Sequence, residues 1–137
     1  MYKRQVLGFA EGSGPDDDAL YLRMDERAAR IIVVPAETDR IVTVGWEVRD
    51  HAALERVKTA LNGVSVPFKQ LAQEDVDARR VEEAIAFEDP AGNSLEVFHG
   101  AVLDHSPVVT PFGAKFVTGN QGPVSYTHLT LPTTPYV

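Results

Sequence analysis

The stretch Phe87-Glu88-Asp89-Pro90-Ala91-Gly92-Asn93-Ser94-Leu95-Glu96-Val97-Phe98-His99-Gly100 decides the fold. At its centre, Asp89 to Asn93 gathers residues that each favour a turn for a different reason. Proline presets φ, glycine accepts the left-handed region, and the Asp and Asn side chains hydrogen-bond to nearby backbone. The runs on either side, Val81 to Phe87 and Ser94 to His99, are therefore predicted to be the two strands of a hairpin.

Working outward, Asp50 is a good N-cap for a segment in which Ala53, Leu54, Val57, Ala60 and Leu61 recur at helical spacing until Gly63. Val66 to Gln70 reads as a short extended piece, and the very polar Gln73 to Arg80 as a loop or a solvated helical turn. Before the helix, Ile41 to Arg49 predicts a strand with Val42, Val44, Trp46 and Val48 on one face, and Gly45 marks a bend or a close backbone approach. Ala19 to Asp25 alternates Leu20, Leu22 and Met24 against Tyr21 and Arg23. Ala29 to Val34 is rich in β-branched residues and is closed by Pro35. These two runs predict another hairpin, turning at Asp25-Glu26-Arg27. Glu11 to Asp18 is a polar loop, and Val6 to Phe9 reads as the end of a helix, with Gly8 in the left-handed post-helical place. The order is strand, strand, then strand, helix, strand, strand, strand. It predicts an α+β fold of two βαββ-like halves, the first lacking its opening strand and helix.

The chain has 137 residues, 44% hydrophobic and 24% charged, which suits one soluble core. A net charge of −7, with no cluster of Lys and Arg, argues against nucleic acid as a partner. No cysteine is present, so disulfides and thiolate chemistry are excluded and any metal must be held by His, Asp or Glu. No apolar run approaches the roughly 20 residues of a membrane helix, and no signal peptide is evident. A cytoplasmic location is the expectation.

The two ends differ in texture from the rest. Pro123-Val124-Ser125-Tyr126-Thr127-His128 is the translation of a transposase-type sequencing adapter read after one additional C, and the reverse complement of that adapter reads as Met1-Tyr2-Lys3-Arg4-Gln5 from a GTG start. Residues 1–5 and 123–137 are accordingly expected to be adapter-derived and are set aside from fold reasoning. Residues 6–103 form the predicted domain, and 104–122 a connector.

The closing hairpin, with its Asp89-Pro90-x-Gly92-Asn93-x-x-Glu96 pattern, resembles that of a vicinal-oxygen-chelate module, the fold shared by glyoxalase I and extradiol dioxygenases. Tyr21-Leu22-Arg23-Met24-Asp25, Gly45-Trp46-Glu47 and Pro111 to Gly122 narrow the resemblance to the amino-terminal half of type I extradiol catechol dioxygenases of the dihydroxybiphenyl and steroid-catechol kind. This resemblance implies paired βαβββ modules, with the first strand and most of the first helix missing here. It implies an Fe(II) enzyme that cleaves a catecholic ring with O₂ and is a homo-oligomer when complete. All three iron ligands belong to the second module, so this chain is expected to be a non-catalytic scaffold with no catalytic, cofactor-binding or metal residue of its own.

Glu96 is the one exception to weigh, because its hairpin position corresponds to the carboxylate ligand of a metal-bearing sister module. The expected role is a buried Glu that hydrogen-bonds within a relic pocket. Glu96 and His99, three apart on a strand, point to opposite faces. His51 is read as a solvated helix-start residue, His99 as a structural contact, His105 as a surface loop residue and His128 as part of the tail. Trp46 is expected to pack in the core, and Asp16-Asp17-Asp18 to be a solvated loop without a calcium pattern. Two other readings compete: a stand-alone glyoxalase- or epimerase-type metalloenzyme, and a metal-free binding module. The first lacks a His in an opening strand, and the connector from Val108 to Gly122 argues against the second.

Overall fold

A computed structural model describes residues 8–109 and 125–129, the latter as backbone only. Eight strands form one sheet: β1 Ala10–Glu11, β2 Leu20–Arg23, β3 Ile31–Val33, β4 Ile41–Glu47, β5 Phe68–Gln70, β6 Glu83–Glu88, β7 Ser94–His99 and β8 Ser125–Leu129. Two helices accompany them, α1 His51–Gly63 and α2 Gln73–Arg79. The strand order is β1-β2-β3-β8-β4-β7-β6-β5. This is the mixed α+β architecture predicted from the sequence, with two strands more than expected, β1 in the loop after Phe9 and β8 near the C-terminus.

The deciding hairpin forms as read. β6 and β7 pair antiparallel from Glu83↔His99 to Glu88↔Ser94. In the turn, the Asp89 carboxylate accepts from the Ala91 and Asn93 amides and from the Asn93 side chain, and Gly92 takes φ +83°. The Asn93 side-chain bond leads the contacts that hold the Asp89 carboxyl below its usual range. β2 and β3 form the second predicted hairpin, in register Leu20↔Val33 and Leu22↔Ile31. Asp50 caps α1 by accepting from the Ala53 amide at 2.8 Å. Gly8 has φ +72°, as its post-helical reading required; residues 1–7, which precede it, lie outside the described residues.

The core lies on both sides of the sheet. Under α1, Leu54, Ile85 and Val97 are buried together, with Val48, Val57, Leu61, Phe68 and Phe87 packed against them. Under α2, Phe98 and Ala84 pack with Val76 and Val81. Because alternate strand residues point to opposite faces, β7 sends Leu95, Val97 and His99 to the α1 side, and Ser94, Glu96 and Phe98 to the α2 side.

Three expectations are corrected. Trp46 is 48% exposed and not core, and Val42 on the same face is also open. The residues of β4 that are buried are Thr43 and Gly45, on the α2 side, because α1 covers β6 and β7 but does not reach over β4. The irregularity of β4 falls between Ile41 and Thr43, not at Gly45, which pairs in register with Glu96. In β2 the polar face is buried as well: Tyr21 and Arg23 are as enclosed as Leu22. The Arg23 guanidinium donates to the carbonyls of Asp25 and Ser106 and pairs with Asp104 at 2.9 Å, which fixes residues 104–106 to the sheet.

Residues 125–129, set apart in the sequence reading, lie in the middle of the sheet. β8 runs parallel to β3 and antiparallel to β4, with Ile32↔His128 and Gly45↔Tyr126 in register. Tyr and Thr are good strand formers, and the place between β3 and β4 requires a strand if neither edge is to be left unpaired.

Candidate functional site

On the α2 side of the sheet, buried carboxylates are held in ion pairs. Glu96 is 2% exposed. Arg79, at the end of α2, grips it with two bonds, Nε to Oε2 and Nη2 to Oε1, both 2.7 Å. Gln73 to Arg80 is thus more than a solvated turn: Val76 anchors it in the core, and Arg79 reaches under it to the sheet. Arg80, the residue that ends the helix, adopts φ +58°.

A second set of pairs lies toward the first half. Asp25 and Arg30, both almost wholly buried, are joined side by side, Nε to Oδ1 at 3.2 Å and Nη2 to Oδ2 at 2.5 Å. Arg27 donates twice to Glu47 Oε2, at 3.2 and 3.1 Å. Thr43 and Ser94 close the neighbouring ladder, the Thr43 hydroxyl donating to the Ser94 carbonyl at 3.1 Å. The carboxylates of Asp25, Glu47 and Glu96 are therefore each met by guanidinium groups. A divalent ion needs free carboxylate lone pairs together with imidazole or further oxygen ligands. Both Glu96 oxygens are engaged by Arg79, and among the described residues Glu96 belongs to no cluster of three metal-ligating side chains. The residues present do not fit an iron centre at this position.

The helix side holds a cluster that the sequence did not announce. Glu83, at the start of β6, receives His51 Nδ1 at 2.7 Å and His99 Nε2 at 3.1 Å on one carboxylate oxygen, Oε2. Its other oxygen accepts from Lys58 at 2.8 Å and from Gln70 at 3.2 Å. Partial burial acts to raise the Glu83 carboxyl, but the bonds from Lys58, His51 and His99 together outweigh it and bring the carboxyl down to about 2. His99, read from the sequence as a structural contact, meets Glu83 in the structure. His51 is exposed, but its ring is held by Glu83 and lies edge-on to His99, with centroids 5.8 Å apart. As expected, Glu96 and His99 stand on opposite sides of the sheet. His105 is exposed in the connector, and Asp16 to Asp18 form an exposed loop in which Asp16 accepts from the Asp18 amide. The connector from residue 110 to 122 lies outside the described residues, as do the side chains of residues 125–129, His128 among them.

With this geometry in place, the likeness to known proteins is informative. A family profile described as dihydroxybiphenyl dioxygenase BphC D1 matches residues 1–36. An iron-dependent extradiol dioxygenase of Rhodococcus jostii is 50% identical over 133 residues, which is 97% of this chain and 43% of that protein. That match runs into the terminal stretches set aside above. A biphenyl-2,3-diol 1,2-dioxygenase of a Pseudomonas species is 37% identical over 118 residues, 85% of this chain and 40% of its own length. A crystal structure of a catechol 2,3-dioxygenase superimposes with a TM-score of 0.78 at 32% identity, covering 85% of this chain and 42% of that one. The chain spans about two fifths of the length of the relatives it matches.

Proposed function

We propose that this chain, a member of the extradiol dioxygenase family, is the amino-terminal scaffold module of an Fe(II)-dependent enzyme that opens a catecholic ring with O₂. The observation that carries the reading is the Glu96–Arg79 pair. At the one position where a sister module presents its metal carboxylate, this module presents a carboxylate already neutralised by a bidentate guanidinium. A site so filled is suited to holding α2 against the sheet, not to binding an ion and a substrate. The same observation weighs against a stand-alone glyoxalase- or epimerase-type metalloenzyme.

In this reading iron and the ring-opening chemistry belong to the other module of the parent protein. The present module supplies a rigid sheet, and the segment pinned through Arg23, Asp104 and Ser106 is the start of the connector toward that module. Residues 1–5 and 123–137 are adapter-derived, and β8 takes the place that a strand of the parent's own module holds. The parent is a cytoplasmic homo-oligomer acting on a biphenyl- or steroid-derived catechol, the steroid type favoured. No helix of the described residues is long and apolar enough to cross a membrane.

The contiguous genomic DNA tests this. It is expected to encode a strand and helix before Val6 and a Gly-His followed by a second module after Gly122. The protein it encodes is expected to yield ring-fission product from catechols when loaded with Fe(II). A reading frame that continues through Pro123 to Val137 without a second module would refute the proposal.

A further inference from the structure

The cluster on the α1 side has no part in the proposed scaffold role, and its composition is unusual for a structural ion pair. Two imidazoles from different elements, His51 at the first turn of α1 and His99 at the end of β7, aim at the same carboxylate oxygen of Glu83. One ring nitrogen from each of His51 and His99 and a Glu83 oxygen all lie within 4.8 Å of one another. We propose that His51, Glu83 and His99 form a binding site for a divalent transition-metal ion of the zinc type.

Two imidazoles and one carboxylate are the donor set that such ions prefer over Mg²⁺ or Ca²⁺, which favour all-oxygen shells. In the empty cluster both ring nitrogens that face Oε2 carry the proton of a hydrogen bond. An incoming ion takes the place of those two protons, and each ring moves its proton to its other nitrogen. For His99 an acceptor already faces that nitrogen: Glu82 Oε2 stands 3.7 Å from Nδ1. This is the outer carboxylate that commonly orients a metal-bound imidazole. The second oxygen of Glu83 is fixed by Lys58 and Gln70, so the carboxylate is aimed before any ion arrives. His51 is largely exposed, which leaves an entry path and room for water to complete the coordination.

Lys58 is the opposing feature. Its ammonium bonds Oε1, on the far side of the carboxylate from the imidazoles, so it is not displaced by an ion on Oε2, but its charge weakens the site. This yields a signature that a purely structural ion-pair cluster lacks: Lys58→Met tightens binding, whereas a residue that only supported the fold would weaken it.

The test uses the complete 137-residue chain, titrated with Zn²⁺ by calorimetry and with Co²⁺ by visible absorption, in parallel with far-ultraviolet circular dichroism. Expected is one saturable ion per chain, with a Co²⁺ ligand-field spectrum. His51→Ala, at an exposed position that leaves the circular dichroism unchanged, weakens binding by at least about tenfold, the lower end of what losing even an outer partner costs. Lys58→Met strengthens binding several-fold, and His105→Ala, in the exposed connector, leaves it unchanged. The proposal is overturned if no saturable binding occurs in chain whose circular dichroism shows it folded. Binding that survives His51→Ala intact, or that Lys58→Met weakens, overturns it equally.

Discussion

The two halves of the sheet are built on the same plan and filled in different ways. In the second half, residues 41–99, the inner strand β4 runs parallel to β7 and leads directly into the helix that covers β6 and β7. In the first half, β1 to β3 repeat the outer strands, but the inner place beside β3 is taken by β8, from beyond the connector, again running parallel to its neighbour. Among the described residues no helix covers this half, and Ile41, Val42 and Trp46 leave an apolar surface open at the seam. The comparison teaches that the sheet seats an inner strand beside β3 even when that strand comes from far along the chain.

Breaking the better-built half gives the largest effect. Arg79→Met removes the partner of a buried carboxylate and is expected to cost about 3 kcal/mol or more by urea denaturation. The double variant Arg79→Met with Glu96→Leu recovers most of that loss, because no charge is then left unpaired. If the double variant were as unstable as the single, the pair would matter through something other than charge compensation.

Breaking β8 comes next. Thr127→Pro removes a ladder donor in the middle of β8 and is expected to cost about 1–3 kcal/mol, the price of leaving central-strand groups unsatisfied. It also frees the β3 and β4 edges, so association rises in sedimentation or size exclusion. A variant with unchanged melting and no added association would show that β8 does not hold the halves together.

The smallest effect sharpens the contrast through pH. Glu83 has its carboxyl lowered from 4.5 to about 2 in the folded chain. A lowered carboxyl contributes stability that is present above its unfolded value and is lost as pH falls through its folded value. The stability difference between the chain and Glu83→Gln is therefore expected to shrink as pH falls from about 4.5 toward 2. Unfolding followed at a series of pH values measures it, and a difference that grew on acidification would contradict the ion-pair account.

What could be read from sequence follows the range of the interactions. The closing hairpin was legible because its turn chemistry is local: Asp89 bonds residues two and four positions on. The α1 cap was legible for the same reason. Trp46 was placed on the correct strand but the wrong environment, since alternation shows which residues share a face and not whether anything covers it. The Arg79 grip on Glu96 was hidden because α2 is polar and is held by a single buried residue, Val76. The expectation that Glu96 is buried and hydrogen-bonded agrees with its geometry, although its partner went unnamed. The His51–Glu83–His99 cluster was not legible at all. Its members come from three elements, 32 and 16 positions apart; the sheet register pairs Glu83 with His99, and the placement of α1 adds His51.

The central claim is that this half carries the scaffold and not the chemistry. It is tested most directly by supplying the purified chain anaerobically with Fe(II), then O₂ and 2,3-dihydroxybiphenyl, while following oxygen uptake and the yellow ring-fission product. The account predicts neither oxygen consumption above the iron-only control nor any yellow product. Catalytic appearance of that product would contradict it.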